Sequence, residues 1–192
     1  MTLRPRGLAA LAALALATGC YEHSGTERVI DLRARTASIA LTDLRSDGDD
    51  PASDIRSAAG ALLFDTAVES RYPQASLTHK DFRVRGEALD FVAELSFEQP
   101  ASVGVMAWDR GGHRICPSEP GMIISQSNAD SRDAAGCVMW KRRATVLRVI
   151  EIRTTPRTGV PMVSAFQDWD RAGRPPPDEA PADVTAPAAP QG

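Results

Sequence analysis

The sequence predicts a mainly β domain with antiparallel pairing and one helix. The clearest evidence is the alternation of apolar and polar residues at 89–98, bounded by a glycine turn before it and Pro100 after it. A single helical pattern at 52–70 interrupts a series of short strand patterns. Short strands joined by tight turns pair most simply with their chain neighbours, in antiparallel fashion. We expect a β-sandwich with an inserted helix, with a single curled sheet packed on that helix as the alternative and α+β as the second choice of class.

The first part of the domain combines strands and the helix. Between 29 and 44 the apolar residues change parity, which predicts two short strands or one strand with a bulge. Residues 45–50 read as a turn. Asp50 followed by Pro51 is a typical helix start, and apolar residues then recur at helical spacing until Tyr72-Pro73. A strand at 61–68 is the competing interpretation of this segment.

The second part reads as β throughout. A turn at Gly86-Glu87 joins two alternating runs and predicts a hairpin. Residues 145–153 carry aliphatic side chains on both parities, as a central strand covered on both faces does. Pro161–Trp169 fits a last edge strand that begins with its proline. The remaining predicted strands are 103–107, 113–116, 122–124 and 137–140.

The first twenty residues have the layout of an export signal. Arg4 and Arg6 precede an uncharged run of Leu and Ala that ends in Gly19-Cys20. The run is about a dozen residues long, whereas a membrane-spanning helix needs roughly 20. Small and apolar residues before the cysteine resemble the lipobox of bacterial lipoproteins, although Ala17 stands where that family prefers Leu. An ordinary cleaved signal is the alternative.

The lipobox resemblance implies a location and an anchor. In that family the chain is cut before the cysteine, here Cys20, whose sulfur receives a diacylglycerol and whose new amino end is usually acylated. Several acyl chains hold a protein firmly to a bilayer. Tyr21 stands where an Asp would favour retention at the inner membrane, so we expect export and lipid anchoring at the outer membrane, facing the periplasm or the cell surface.

The anchor divides the rest of the chain into three predicted parts. After a signal peptide at 1–19 we expect a polar, lipidated tether at 20–28, one β-rich domain at 29–171, and a disordered tail rich in Pro and Ala at 172–192. The chain after the signal has 20 basic and 25 acidic side chains, a net charge of −5. That charge argues against recruitment of nucleic acid.

With Cys20 assigned to the anchor, two cysteines are left. Cys116 and Cys137 form an even pair in an exported protein, which predicts a disulfide. A metal-binding or catalytic pair is the alternative, but neither cysteine lies in a Cys-x-x-Cys motif. The loop between them is long and polar, and disulfide-stapled loops often present binding residues. The candidate binding residues within the loop are Met122, Ile123, Asn128, Asp130 and Asp133. Trp140, which flanks the loop, completes the set.

Motifs for catalysis or cofactor binding are weak. The three histidines (His23, His79 and His113) are widely spaced, and no Gly-x-Ser-x-Gly elbow or phosphate-binding glycine loop is present. The Asn and Asp residues at 125–133 could offer oxygen ligands to calcium, but the EF-hand spacing is missing. We therefore assign no catalytic residue and expect no metal or cofactor.

Two functions stay open on these grounds. The first is a non-catalytic binding or assembly module of the cell envelope, attached to the membrane by lipid and bound to another envelope protein. The second is a small periplasmic enzyme or ligand carrier with its site under the Cys116–Cys137 loop. A deep apolar cavity with converging Asp and His side chains would favour the second, whereas a filled core with an exposed apolar strip would favour the first.

Overall fold

The computed structural model describes residues 21–155 and 157–177, and these are mainly antiparallel β structure. Numbered along the chain, the strands are β1 (Tyr21–Asp31), β2 (Thr36–Ser46), β3 (Ala75–Arg85), β4 (Ala88–Phe97), β5 (Met106–Trp108), β6 (Gly112–Ile115), β7 (Met122–Ser127), β8 (Ser131–Arg132), β9 (Val138–Trp140), β10 (Val146–Arg153) and β11 (Val160–Pro161). The predicted fold class is confirmed.

The strands form two sheets. The larger one has the order β3-β4-β2-β1-β10-β7, and β11 adds to β2. The smaller one has the order β5-β6-β9-β8. Every pairing between the described strands is antiparallel. The predicted hairpin is β3–β4, and its turn contains Gly86 at a φ of +64°, a conformation that glycine adopts without a steric penalty.

The helical segment follows β2. It consists of α1 (Pro51–Ala59), a π-helical turn (Gly60–Phe64) and α2 (Ala67–Arg71). Asp50 caps α1 as the sequence predicts, because its side chain accepts a hydrogen bond from Ser53 N at 3.0 Å. The predicted helix at 52–70 is therefore present, although Asp65 and Thr66 interrupt it. A strand at 61–68 is excluded.

One hydrophobic core contains residues from both sheets and from the helices. A third helix, α3 (Val163–Arg171), contributes Phe166 and Trp169. Their rings lie 5.6 and 6.2 Å from the ring of Phe82 on β3, in edge-to-face geometry. This packing fixes α3 against the sheet, since edge-to-face pairs add about 1 kcal/mol beyond the area that they bury.

Two strand predictions are wrong. The segment 161–169 is an edge strand only at Val160–Pro161 and continues as α3, because Met162, Phe166 and Trp169 are spaced for one helix face. The strand β10 is covered on one face only. Its odd-numbered Leu147 and Val149 are buried, whereas Ile152 on the other face is 44% exposed.

Both ends of the predicted domain also change. The predicted tether at 20–28 is wrong for its described residues: 21–28 belong to β1, where they pair with β2 and partly with β10. Residues 174 and 175 of the predicted disordered tail are packed on the domain, since Trp169 Nε1 donates to Pro175 O at 3.0 Å and Arg174 pairs with Asp81 at 2.7 Å. The signal peptide, Cys20 and 178–192 lie outside the described residues.

The smaller sheet carries the predicted disulfide. Cys116, directly after β6, is bonded to Cys137, directly before β9. The bond confirms the pairing that the even cysteine count indicates. It closes a loop that includes β7, which belongs to the larger sheet, and β8, which belongs to the smaller one.

Candidate ligand-binding cavity

A half-open cavity of about 280 Å³ lies between the larger sheet and the helical segment. Its floor is the inner face of β1, β2 and β4, including Ile39, Leu41, Phe91 and Ala93. Its helical wall consists of Leu62, Ala67, Val68 and Tyr72, with Arg71 beside them. Apolar side chains thus line one half of the cavity. The other half is polar and is formed by Tyr21, Glu22, His23, Thr26, Arg28, Asp47, Ser118, Glu119, Arg153 and Arg157.

The buried positions of β2 change parity at Asp43, next to the pairing with the start of β1. Asp43 has a φ of +55°, which is uncommon for a residue other than glycine. Before it the buried positions of β2 include Ala37 and Ile39, and after it they are Leu44 and Ser46. The pairing of β2 with β1 keeps one register across Asp43, so the change of parity involves no inserted residue.

A buried ion pair forms the inner end of the polar half. Arg28 of β1 contacts Glu151 of β10, and their side chains are 7% and 0% exposed. Arg28 Nη2 also donates to Cys116 O at 2.9 Å, and Ser118 donates to Glu151 from its backbone nitrogen at 3.2 Å and from its hydroxyl. The disulfide therefore positions the segment that delivers Ser118 and Glu119 to the cavity.

A second charged group lies at Glu119. His23 Nε2 lies 3.6 Å from Glu119 Oε1, and Arg153 Nη2 lies 3.3 Å from Glu119 Oε2. Arg153 Nε also donates to His23 O at 3.0 Å. The neighbouring His23 imidazole holds the pKa of Glu119 at about 2, with smaller contributions from Arg153 and Arg71, while burial opposes this shift. Glu119 is therefore a carboxylate at neutral pH.

The remaining polar wall contains a third ion pair and a phenol. Arg157 Nη1 lies 2.7 Å from Glu22 Oε1. Burial raises the pKa of Tyr21 to about 12, so its hydroxyl keeps its proton at neutral pH. Arg71 is exposed beside the cavity and makes no ion pair with any residue that the structure describes. It is the lining cation whose charge is least compensated.

Several buried polar atoms of the cavity lining have no hydrogen-bond partner. Among the described residues six buried side-chain atoms lack one, and four of these belong to the lining: Tyr21 Oη, His23 Nε2, Arg28 Nε and Arg157 Nε. Buried polar groups are rarely left without a partner, because each costs about 1–3 kcal/mol. Their concentration at one cavity indicates a place where a polar group from outside the chain can bind.

The chemistry of the cavity is that of recognition. It offers N–H and O–H donors at one end and apolar surface at the other. Within 21–155 and 157–177, no three His, Cys, Asp or Glu side chains lie close enough together to hold a metal ion. No helix in the same ranges is both long and apolar enough to cross a bilayer.

The predicted binding residues of the Cys116–Cys137 loop lie elsewhere. Asn128, Asp130 and Trp140 line a separate and more open pocket, and the polar side chains of the set also bond within the loop. Asn128 Oδ1 accepts from Trp140 Nε1 at 2.9 Å, and Asp130 Oδ2 accepts from Lys141 N at 2.8 Å. Asp133 lies 2.6 Å from Arg114 and also accepts from the backbone of Cys137.

The apolar members of the predicted set are divided. Met122 and Trp140 are buried in the protein. Ile123 is 47% exposed and is the one member of the set whose side chain presents a large apolar surface. Of the whole stapled segment, only Ser118 and Glu119 reach the cavity. Binding by the other loop residues stays a prediction.

Sequence reasoning missed the five cavity residues within 21–28 because it took that segment for a tether. One signal for them was available. Glu151 shares the parity of Leu147 and Val149, so a charged residue falls on the buried face of β10. A buried carboxylate requires a cation, and Arg28 occupies the equivalent inward position next to Ile30 on β1.

Comparison with known proteins adds no relative: no family model, no curated protein and no solved structure matches this chain.

Proposed function

We propose that this protein is an exported lipoprotein, anchored through Cys20 at the outer membrane, that binds a small ligand in the cavity beside β1 without transforming it. The proposal of export and anchoring rests on the first twenty residues. The proposal of ligand binding rests chiefly on one observation, the four unpartnered buried polar atoms in the lining of a single cavity.

The shape of the cavity supports a ligand rather than water alone. Small-molecule sites are concave, mainly apolar, and carry a few polar groups that fix orientation. The walls here follow that pattern, with Phe91 and Leu62 on the apolar side and the His23–Glu119 pair on the other. This is the arrangement expected of the carrier alternative, with the site at the start of the stapled loop instead of under it.

The test is to fill the cavity. Ala67 is half-buried in the helical wall, and Ala67→Trp places an indole there. Binding is measured by the fluorescence of N-phenyl-1-naphthylamine, a neutral apolar dye. The protein used is the chain from Tyr21 onward, which lacks Cys20 and therefore the proposed anchor. We expect the dye affinity to fall at least tenfold in the variant.

Ala52→Trp is the matched control. Ala52 is exposed on α1 and does not line the cavity. This variant should bind the dye as the unaltered protein does and unfold at a similar temperature. Equal dye affinity in Ala67→Trp and Ala52→Trp would count against the cavity as a binding site.

A second candidate function is assembly with another envelope protein through β7. This strand is at the end of the strand order and so has one unpaired edge among the described strands. On its outer face Ile123 is paired in register with Ile152 of β10, and the two side chains are 47% and 44% exposed. An exposed apolar edge is where an extended segment of a partner adds to a sheet.

Site-specific crosslinking tests the assembly candidate. A photo-crosslinking amino acid at Ile123 should capture one partner in intact cells, whereas the same group at Phe64, which is 54% exposed on the helical segment and on no strand edge, should not. Capture of the same species from both positions, or from neither, would argue against assembly through β7.

A further inference from the structure

We infer that the ligand of the cavity is a single-chain organic anion, with an acid group in the polar half and a short apolar body against the helical wall. This inference deepens the proposed function and rests on it. The acid group is a carboxylate or a chemically similar oxyanion, and the structure points to it through the type of its unpartnered atoms.

The unpartnered atoms are mainly donors. Arginine Nε carries a hydrogen and never accepts, so Arg28 Nε and Arg157 Nε can be satisfied only by an acceptor. The Tyr21 hydroxyl keeps its proton at neutral pH and is a third donor. An amine has no acceptor to offer these groups when it is charged. An oxyanion has several, and hydrogen bonds to a charged acceptor are about twice as strong as neutral ones.

The charges beside the cavity favour the same sign. Glu22, Glu119 and Glu151 each already pair with an arginine. Arg71 and Asp47 are then the lining charges without an ion pair among the described residues, and both are exposed. Arg71 also contributes to the lowered pKa of Glu119, so its charge reaches the polar half, where a bound anion is attracted by it.

The size of the cavity limits the apolar part of the ligand. Its 280 Å³ is at the lower end of the roughly 300–1,000 Å³ of small-molecule sites. The apolar wall of Leu62, Val68 and Phe91 accommodates one short chain or ring, and a lipid with two long acyl chains exceeds this volume. The enclosed part of the cavity therefore fits a free single-chain acid better than a lipid with two long acyl chains.

Three probes of one length test the charge requirement: octanoate, 1-octanol and octylamine. Isothermal titration of the intact mature protein should give a dissociation constant for octanoate at least tenfold lower than for the other two. Arg71→Gln should weaken octanoate about fivefold to tenfold and leave octanol unchanged. Tyr21→Phe, which removes only the hydroxyl, should weaken octanoate about threefold.

The controls separate the possible failures. Arg33→Gln removes an exposed cation in the β1–β2 turn and should change none of the three affinities. Octanol or octylamine binding as tightly as octanoate would overturn the anion inference, while the effect of Ala67→Trp on the neutral dye would still support the cavity. If Ala67→Trp does not change the dye affinity and none of the three probes binds, both the cavity as a binding site and the anion inference would be overturned. If phosphatidylglycerol vesicles compete with octanoate, the ligand would be a bilayer headgroup, and the inference of a free acid would be overturned.

Discussion

Arg28 and Glu151 illustrate how single residues connect stability to the cavity. Each lies on the buried face of its strand, and both are almost fully buried. Removing two charges from water is costly, so such a pair is maintained only with further hydrogen bonds. Here Cys116 O and Ser118 provide them.

Loss of one partner should destabilise the protein strongly. Glu151→Ala leaves the Arg28 charge buried and uncompensated, and we expect the free energy of unfolding to fall by about 3–5 kcal/mol. Glu98→Ala is the control, because its pair with Arg35 is exposed and worth at most about 1 kcal/mol. Urea unfolding followed by tryptophan fluorescence measures both. A cost below about 1 kcal/mol for Glu151→Ala would contradict the buried pair.

Glu119 should make stability depend on acid. The pKa of Glu119 is about 2 in the folded protein, and its ordinary value is 4.5. Between these values the unfolded chain binds more protons, so the contribution of Glu119 to stability is complete above pH 4.5 and is lost as the pH falls towards 2. Glu119→Gln should therefore be less stable than the unaltered protein at pH 6, and the difference should shrink by pH 3.

Thermal unfolding at pH 6, 4 and 3 tests this dependence. Glu87→Gln is a suitable control, since Glu87 is exposed in the β3–β4 turn. A stability difference between Glu119→Gln and the unaltered protein that stays constant across this range would show that the carboxylate of Glu119 is not held by its neighbours.

Among the elements, the disulfide loop has the most direct effect on stability. The bond between Cys116 and Cys137 spans a sequence separation of 21 residues. Closing a loop of this length in the unfolded chain is worth about 3 kcal/mol in the chain-entropy model. Cys116→Ser/Cys137→Ser should lower the free energy of unfolding by about that amount, as measured by urea unfolding.

The same variant should also bind the dye less tightly, because the cavity residues Ser118 and Glu119 lie two and three residues after Cys116. Dye binding at a temperature where the variant is folded provides this second measurement. A variant with unaltered stability would show that the loop is ordered by its hydrogen bonds alone.

The elements that sequence reasoning predicted well are those with strong local signals. The β3–β4 hairpin combines alternation with Gly86, and α1 combines a capping Asp50 with Pro51. The strand predicted at 161–169 was wrong because Pro161 and a few aliphatic residues fit a strand as well as a helix start. Only the tertiary contact with Phe82 distinguishes the two.

The candidate site was less predictable for a similar reason. Its residues come from β1, the helical segment, the loop after Cys116 and the chain around 153–157, which are far apart in sequence. The polar start of β1 carries no apolar alternation, so nothing local distinguishes it from a tether. Its strand character comes from pairing with β2 and β10. The disulfide, in contrast, could be predicted from the two cysteines that remain once Cys20 is assigned to the anchor of an exported protein.

For the whole molecule, the proposed anchor makes one clear prediction. Cys20→Ser removes the sulfur that the lipobox resemblance assigns to acylation, so the variant should leave the membrane fraction and lose the mass of the lipid. Cell fractionation and mass spectrometry measure this, with Cys116→Ser/Cys137→Ser as the control that keeps Cys20. An unchanged membrane fraction for Cys20→Ser would argue against lipid anchoring.

The early start of β1 limits the distance between the domain and the bilayer, if Cys20 is the anchor. Cys20 is followed at once by Tyr21, which is already a strand residue and a cavity residue. One residue extends a chain by at most about 3.6 Å. A domain held in this way stays at the bilayer surface with its cavity close to the lipid headgroups. It would sample molecules that leave or enter that surface, and it would be out of reach of anything fixed deeper in the periplasm.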